Sequence, residues 1–424
     1  MADRIVIVGG GFAGLSTAIH LSRHIKSSDD IDILLIDKQS EHVYLPLIYE
    51  VASGGLMEKK KTKTLKKGVS LPFDLGGHLT GHENVQFRQG EVMDVDTKAN
   101  EVKLSSGAVV SFDYLVMAMG AVSGTFGIEG VEKNATSLTS LDNALKIREK
   151  CSDLLVECEK KLRVGVNMVI VGGGPNGVEV SSEIAKALEH AKNKRGISCD
   201  WQITLVDAGP RILSNMGKFA SWVATRRLKR LGVNIAAGTF VKSVKPSTVS
   251  VEPNERLKNV SPYIKSTKIK SDVTIWAAGV ASRPQWKKWG LPIDERGYIK
   301  TLPTLQMFGL NHVFVAGDSA SIIGRRMQQR APEAIDQGRS VAENLIRVVR
   351  GQAILRSHHD MKWPFAIPLG GRFAISSLGP ITVIGVFAYI LRKAIDLKYF
   401  LSIMKLRHAI SVWWHGGKAY LEND

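Results

Sequence analysis

Residues 6–16, VIVGGGFAGLS, recur almost letter for letter at residues 169–179 as VIVGGGPNGVE. Each copy is a β-branched apolar run, a Gly-x-Gly-x-x-Gly turn and then a helical pattern. The glycines are Gly9, Gly11 and Gly14 in the first copy, with a helix predicted from Leu15 to His24. In the second they are Gly172, Gly174 and Gly177, with a helix from Val178 to about Lys192. Strand, tight turn and helix in that order gather unpaired N–H groups and the positive end of a helix dipole at one point, which suits a pyrophosphate. A second apolar run follows each copy and ends in an acid, IDILLID at Asp37 and WQITLVD at Asp207, where a carboxylate can accept from a ribose. The copies begin about one domain length apart, so the duplication is of a whole nucleotide-binding fold, and two dinucleotides are predicted.

The 424 residues exceed one ordinary core, and two or more domains are expected. A net charge of +17 favours an anionic partner: nucleic acid, an anionic membrane or a phosphorylated ligand. No nucleic-acid module is present, so the nucleic-acid class falls away. Cys151, Cys158 and Cys199 form neither a C-x-x-C pair nor a metal-ligand spacing. They read as unpaired thiols of a reducing compartment, and no metal site is expected. With the apolar run beginning at Ile5, no leader peptide is expected before the fold, and a cytoplasmic-side location is the expectation.

Three further apolar runs end in small residues: FDYLVMAMG (112–120), SDVTIWAAG (271–279) and HVFVAGD (312–318). Asp207, an acid where a base would greet a 2′-phosphate, favours NADH over NADPH, with Arg211 close by as a competing influence.

With these motifs in order, the chain resembles the two-dinucleotide-binding flavoprotein oxidoreductases, and within them the type II (alternative) NADH:quinone oxidoreductases. GGGFAGLS, HVYLPLIYEVASGG (42–55), FGIEGV (126–131), GGGPNGVEVSSEIA (172–185), WAAGV (276–280) and VFVAGD (313–318) carry the resemblance. It implies an α/β fold of two Rossmann-like domains in a glutathione-reductase-like architecture. An FAD domain would occupy 1–125 and 285–360, an NADH domain 126–284, and a C-terminal amphipathic helical region 361–424. For FAD it implies Gly9, Gly11, Phe12, Ala13, Gly14, Asp37, Lys38, Ala118, Gly120, Gly317, Asp318 and Ala334. For NADH it implies Gly172, Gly174, Pro175, Asn176, Gly177, Glu179, Asp207, Ala278 and Gly279. Glu179 and Gln337 are the implied catalytic residues. With no cysteine after Cys199, no thiol relay to the acceptor is expected.

Members of this group carry an Ala-Gln-x-Ala-x-Gln-Gln-Gly segment at the quinone site. Residues 331–338 read APEAIDQG: Ala331, Ala334, Gln337 and Gly338 fit, while Pro332 and Asp336 replace glutamines. Pro332 and Glu333 equally suit the first turn of a helix. In the tail, Phe387, Ile390, Leu391, Ala394, Leu397, Leu401 and Met404 recur at helical spacing, interrupted by Arg392, Lys393, Asp396, Lys405 and Arg407. Spanning a bilayer needs about 20 mostly apolar residues. The pattern therefore suits a basic interfacial helix with Trp413 and Trp414, or a helix packing on the protein or on a second copy to form a homodimer. The lysine-rich run 58–67 could add attraction to anionic lipid. The expected activity is hydride transfer from NADH to FAD and on to a membrane quinone, without proton pumping, at the cytoplasmic face of the cell membrane. The alternatives are a soluble NAD(P)H-dependent flavoreductase and a flavin-bearing redox sensor.

Overall fold

The computed structural model describes residues 3–26, 29–54, 56, 72–79, 84–257, 267–325, 327–360, 364–379 and 381–416. The chain forms two compact units, one of Met1–Val43, Pro72–Val122 and Val280–Trp363, the other of Tyr44–Leu71, Ser123–Gly279 and Pro364–Asp424. The lysine run 58–67 lies outside the described residues.

In chain order the first unit opens with β1 (Asp3–Val8), α1 (Phe12–His24) and β2 (Ile31–Asp37), and after α2 (Ile48–Ser53) of the second unit it resumes with β3 (Val85–Gln89) and β4 (Tyr114–Met117). The second unit continues with α3 (Leu141–Glu159), β5 (Gly165–Val171), α4 (Pro175–Arg195), β6 (Asp200–Asp207), β7 (Val233–Ala237) and β8 (Val273–Trp276). The first unit closes with β9 (Val313–Val315) and α5 (Ala331–Val349), and the tail adds β10 (Phe365–Pro368), β11 (Ala374–Leu378), β12 (Ile381–Gly385), α6 (Val386–Ile403) and α7 (Leu406–Gly416) to the second.

The two main sheets share one plan. The first runs β9-β4-β1-β2-β3, all parallel; the second runs Thr136–Ser137, β8, β5, β6, β7, also parallel. β1 pairs with β2 from Asp3↔Ile31 to Val8↔Ile36, and β5 with β6 from Gly165↔Asp200 to Val171↔Val206. Ile5–Val8 are wholly buried, as are Met168–Val171, because each parallel sheet is covered on both faces; on one of them Val6 and Val8 pack against Val92, Val95 and Val102 of an antiparallel sheet, and Val169 and Val171 against Val241, Val244 and Val249 of another. Each nucleotide loop thus leaves the central strand of its sheet, at the carboxyl end where ligands bind in open parallel sheets.

The sequence expectation set 361–424 apart as a third region and placed residues 44–56 with the first domain, whereas both group with the second unit. Main-chain contacts explain the tail's placement. Arg227 Nε and Nη2 donate to the carbonyls of Leu369 (3.0 Å) and Gly370 (3.1 Å), and the guanidinium lies over Phe373.

Within the first unit, α5 packs along α1. Ser16 Oγ donates to Ile335 O (2.8 Å) and Thr17 Oγ1 to Gly338 O (3.0 Å). A Cβ on Gly338 would collide with the carbonyl oxygen of Ala13, so only glycine permits this approach. Gly338→Val should force the helices apart and lower stability by about 1–3 kcal/mol. Thermal unfolding would measure it, and an unchanged midpoint would refute this packing.

Candidate functional site: two nucleotide cradles

Both loops are built by the same contacts. Gly9 turns with φ of +108° and Gly172 with +111°; a Cβ on either would strike the carbonyl of Ala118 or Ala277 respectively. Gly14 and Gly177 let the first helical turn close onto the carbonyls of Gly9 and Gly172, where a Cβ would collide. At the middle glycines the situation reverses: a Cβ on Gly11 or on Gly174 meets no protein atom within 4 Å. These two residues cap α1 and α4 with extended backbone and no side-chain cap, so the first N–H groups of each helix face open space. That is the space a pyrophosphate needs, and it fits a dinucleotide in both units.

The acids at the strand ends do something the sequence did not announce. Asp37 Oδ2 accepts from Gly10 N (2.6 Å) and its Oδ1 from Gln39 N (2.7 Å); Asp207 Oδ2 accepts from Gly173 N (2.6 Å) and its Oδ1 from Gly209 N (2.8 Å). Each carboxylate clamps its own glycine loop while keeping lone pairs for a ribose. Arg211 donates to the carbonyls of Leu213, Gly217 and Ser214, so its guanidinium is committed to its own loop.

Around the first cradle, Phe12 and Ala13 open α1, and the Phe12 ring stands edge-on to His42. His42, which sequence reasoning missed, is buried and donates from Nδ1 to Gly10 O (2.9 Å). Lys38 is exposed, with its carbonyl accepting from Gln89. Gly120 N donates to Ser319 Oγ (2.8 Å). A second missed residue, Arg283, donates from Nε and Nη2 to Met119 O and from Nε to Gly120 O; burial lowers its pKa, and Asp37 and Glu91 oppose that shift. Ala13 and Ala334 both press on Gly317, and Gly317 N donates to Gln337 Oε1 (2.7 Å). Gln337 Nε2 reaches Glu333 Oε1 at 3.4 Å, so this buried amide braces the Gly317 turn at both ends. Asp318, in that turn, has its pKa pushed up to about 6 by desolvation. Pro332 lies in the first turn of α5; Asp336 has its pKa raised, first by desolvation.

In the second unit Pro175 starts α4, Asn176 is exposed, Ala278 packs against the core, and Gly279 (φ +125°) has the exposed Phe126 ring beside it. Glu179 is buried, and its pKa is raised to about 7 by desolvation, with Arg392 opposing and Asp396 reinforcing the shift. Those two come from α6 and form a buried ion pair with each other. Tyr44 Oη donates to Asp396 Oδ1 (2.8 Å) and Arg392 Nη2 to Pro46 O (2.9 Å). Burial also raises the pKa of Glu50 on α2, with Lys393 and Arg392 opposing and Asp396 and Glu183 reinforcing.

One expectation needs correction. Cys158 and Cys199 are joined in a disulfide between the end of α3 and the start of β6, leaving Cys151 as the buried free thiol. Local spacing rules see neighbours in sequence, and this pair is 41 residues apart. The argument for a reducing compartment from unpaired thiols therefore lapses. In the tail, Arg392 and Asp396 lie on the inner face of α6 with Ala388, Phe400 and Ile403, while Phe387 (77% exposed), Ile390 (57%) and Leu401 (41%) face outward. Periodicity located two faces; it did not tell which was inside, because an i, i+4 pair of opposite charges neutralises itself.

Two open glycine cradles on two parallel sheets define an oxidoreductase fold that holds two dinucleotides. The chain belongs to the pyridine nucleotide-disulphide oxidoreductase family, whose profile matches residues 3–338. It is 27% identical to a type II NADH:quinone oxidoreductase of Haemophilus influenzae over 91% of this chain and 90% of that one, and 27% identical to another of Mycobacterium tuberculosis over 97% and 86%. Its fold is similar to that of a structure of NDH2 from Plasmodium falciparum in complex with NADH, with a TM-score of 0.82, 17% identity, and 99% and 98% of the two chains covered.

Crossed substitutions separate the two cradles. Because a side chain at residue 11 or 174 meets no protein atom, Gly11→Val and Gly174→Val should both fold. Gly11→Val should purify colourless, and Gly174→Val should stay yellow while NADH affinity falls at least ~10-fold. Full flavin in the first variant, measured by visible absorbance, would overturn the assignment of the first cradle.

Proposed function

We propose that the protein is a peripheral type II NADH:quinone oxidoreductase, with FAD in the first cradle and NADH in the second. The observation that carries this reading is the pair of matched but separate cradles, in a chain aligned nearly end to end with relatives of that name. Bound FAD would supply two-electron chemistry between donor and acceptor. The chain's own part is binding and orientation. Helix α1 offers its N–H groups to the FAD pyrophosphate, Asp37 its carboxylate to the adenosine ribose, and Gln337 positions the Gly317–Asp318 turn. In the second unit α4 and Asp207 play the matching parts for NADH. NADH is the better donor because Asp207 repels a 2′-phosphate and Arg211 is turned to its own carbonyls. Glu179, buried in the first turns of α4, is poised to hold or lose a proton near neutral pH.

The tail supplies the membrane reading. Among the described residues no helix is long and apolar enough to cross a membrane. Ile381, Val386, Phe387, Ile390, Leu406 and Trp414 are nonetheless exposed together along β12, α6 and α7. A face of this kind, on a chain of +17 net charge, suits shallow insertion at an anionic bilayer. We place it on the cytoplasmic face, where soluble NADH is at hand.

Purified protein should oxidise NADH with a quinone analogue and float with anionic liposomes. Replacing Phe387 and Ile390 together by serine removes two side chains that each contribute about 1.5–3 kcal/mol when buried, so liposome affinity should fall ~100-fold or more. Turnover with a water-soluble quinone should survive. Undiminished flotation would assign this face to another occupant, such as a second copy.

A further inference from the structure

Helix α5 buries a carboxyl–imidazole pair. His358 Nε2 lies 2.8 Å from Glu333 Oε1, with side chains only 1% and 4% exposed. Inward, Glu333 meets Gln337, whose amide oxygen holds Gly317 N–H beside Asp318. Outward, His358 Nδ1 is 3.1 Å from Ser340 Oγ and 3.7 Å from Asp336 Oδ2, and both of those residues are partly exposed. A line of polar groups therefore runs through the first unit, from its surface to the turn proposed to hold FAD.

An imidazole within hydrogen-bond distance of a desolvated carboxyl can share with it one proton beyond those of the neutral ring and the carboxylate, on either the ring or the carboxyl. Charged groups of both signs surround the pair. Asp336 and Asp360 stand near His358, with Glu343 and Arg339 acting on Asp336. Arg330 acts on Glu333, and Arg325 donates to His358 O (2.9 Å) while its Nε is 3.5 Å from Asp360. Three acids and three arginines thus surround the pair, and the geometry of the pair itself carries the inference. Glu333, His358 and Asp360 also lie close enough together to invite a cation, yet Glu333 already bonds His358 and Arg325 already sits on Asp360, so these groups satisfy one another.

We propose that the Glu333–His358 pair stores and supplies the proton consumed in the acceptor half-reaction. The inference rests on the NADH:quinone reading. NADH, one proton and quinone give NAD⁺ and quinol; the hydride accounts for both electrons and one hydrogen, so one proton must come from elsewhere. In the proposed step an O–H bond forms on the reduced acceptor as the proton leaves the pair, and water restores that proton by way of Ser340 and Asp336. Glu333 lies in the first turn of α5, the segment the family resemblance assigns to the acceptor, where Ala331, Ala334, Gln337 and Gly338 are kept and Pro332 and Asp336 depart.

The test uses the holoenzyme with Glu333→Gln, which keeps shape and loses the shared proton site; His358→Gln is the second variant should the first not fold. In anaerobic stopped-flow, flavin bleaching by NADH and reoxidation by ferricyanide, which takes up no proton, should stay within about twofold of the unmodified enzyme. Reoxidation by a soluble quinone should slow by about 100-fold, in the range of lost general-acid catalysis, and should fall further as pH rises. Unchanged quinone reoxidation with an unchanged pH profile would overturn the proposal. So would equal slowing with every acceptor, which marks a purely structural role. Infrared difference spectra on dithionite reduction need no quinone: a change in the pair's protonation, lost in Glu333→Gln, supports the store, and identical spectra refute it. A quinone-inert unmodified enzyme that still gives this signal would instead count against the quinone reading.

Discussion

Two carbonyl oxygens, those of Gly9 and Gly172, govern how each half of this protein is built. Each lies where the Cβ of the last loop glycine would stand, so α1 and α4 can start directly above their strands only because residues 14 and 177 have no side chain. The close start sets the first turns of both helices beside open space at Gly11 and Gly174. Asp37 and Asp207 then fix the loops from the neighbouring strand ends through Gly10 and Gly173. Helix placement and the open space for an anion both follow from that one approach, made twice.

Around the same plan the two units diverge in what they bury. The first surrounds its loop with Ser319, the Gln337 amide, the Arg283 guanidinium and Asp318, whose carboxyl has its pKa raised by desolvation. The second packs Glu179 and Glu50 near an arginine and an aspartate delivered by the tail. Removing one partner of a buried ion pair such as Arg392–Asp396 leaves the other charged and desolvated, which costs about 3–5 kcal/mol. The inner face of α6 is therefore part of the second unit's interior, and its apolar outer face is available for something else.

Much of this was legible in the sequence. The duplicated glycine pattern, the acids at 37 and 207, and the strands ending at Gly120, Gly279 and Gly317 could be read because a parallel βαβ unit imposes local, regular spacing. What escaped was long-range. His42 on Gly10, Arg283 on Met119, Glu333 with His358, and Cys158 with Cys199 pair residues that only the fold brings together. Gln337 was legible as a motif residue, but its bonds to Gly317 and Glu333 were not. The orientation of α6 was ambiguous for a physical reason: both of its faces are largely apolar once Arg392 and Asp396 neutralise each other.

The central claim is that two like cradles hold unlike partners, a resident flavin and a transient reduced nicotinamide, and pass two electrons between them to a quinone. Anaerobic titration of the yellow protein tests it most directly. One equivalent of NADH should bleach the flavin, the same amount of NADPH should do so much more slowly, and one equivalent of quinone should restore the colour. A flavin that NADH leaves oxidised, or one that NADH bleaches but quinone cannot reoxidise while another acceptor can, would contradict the account.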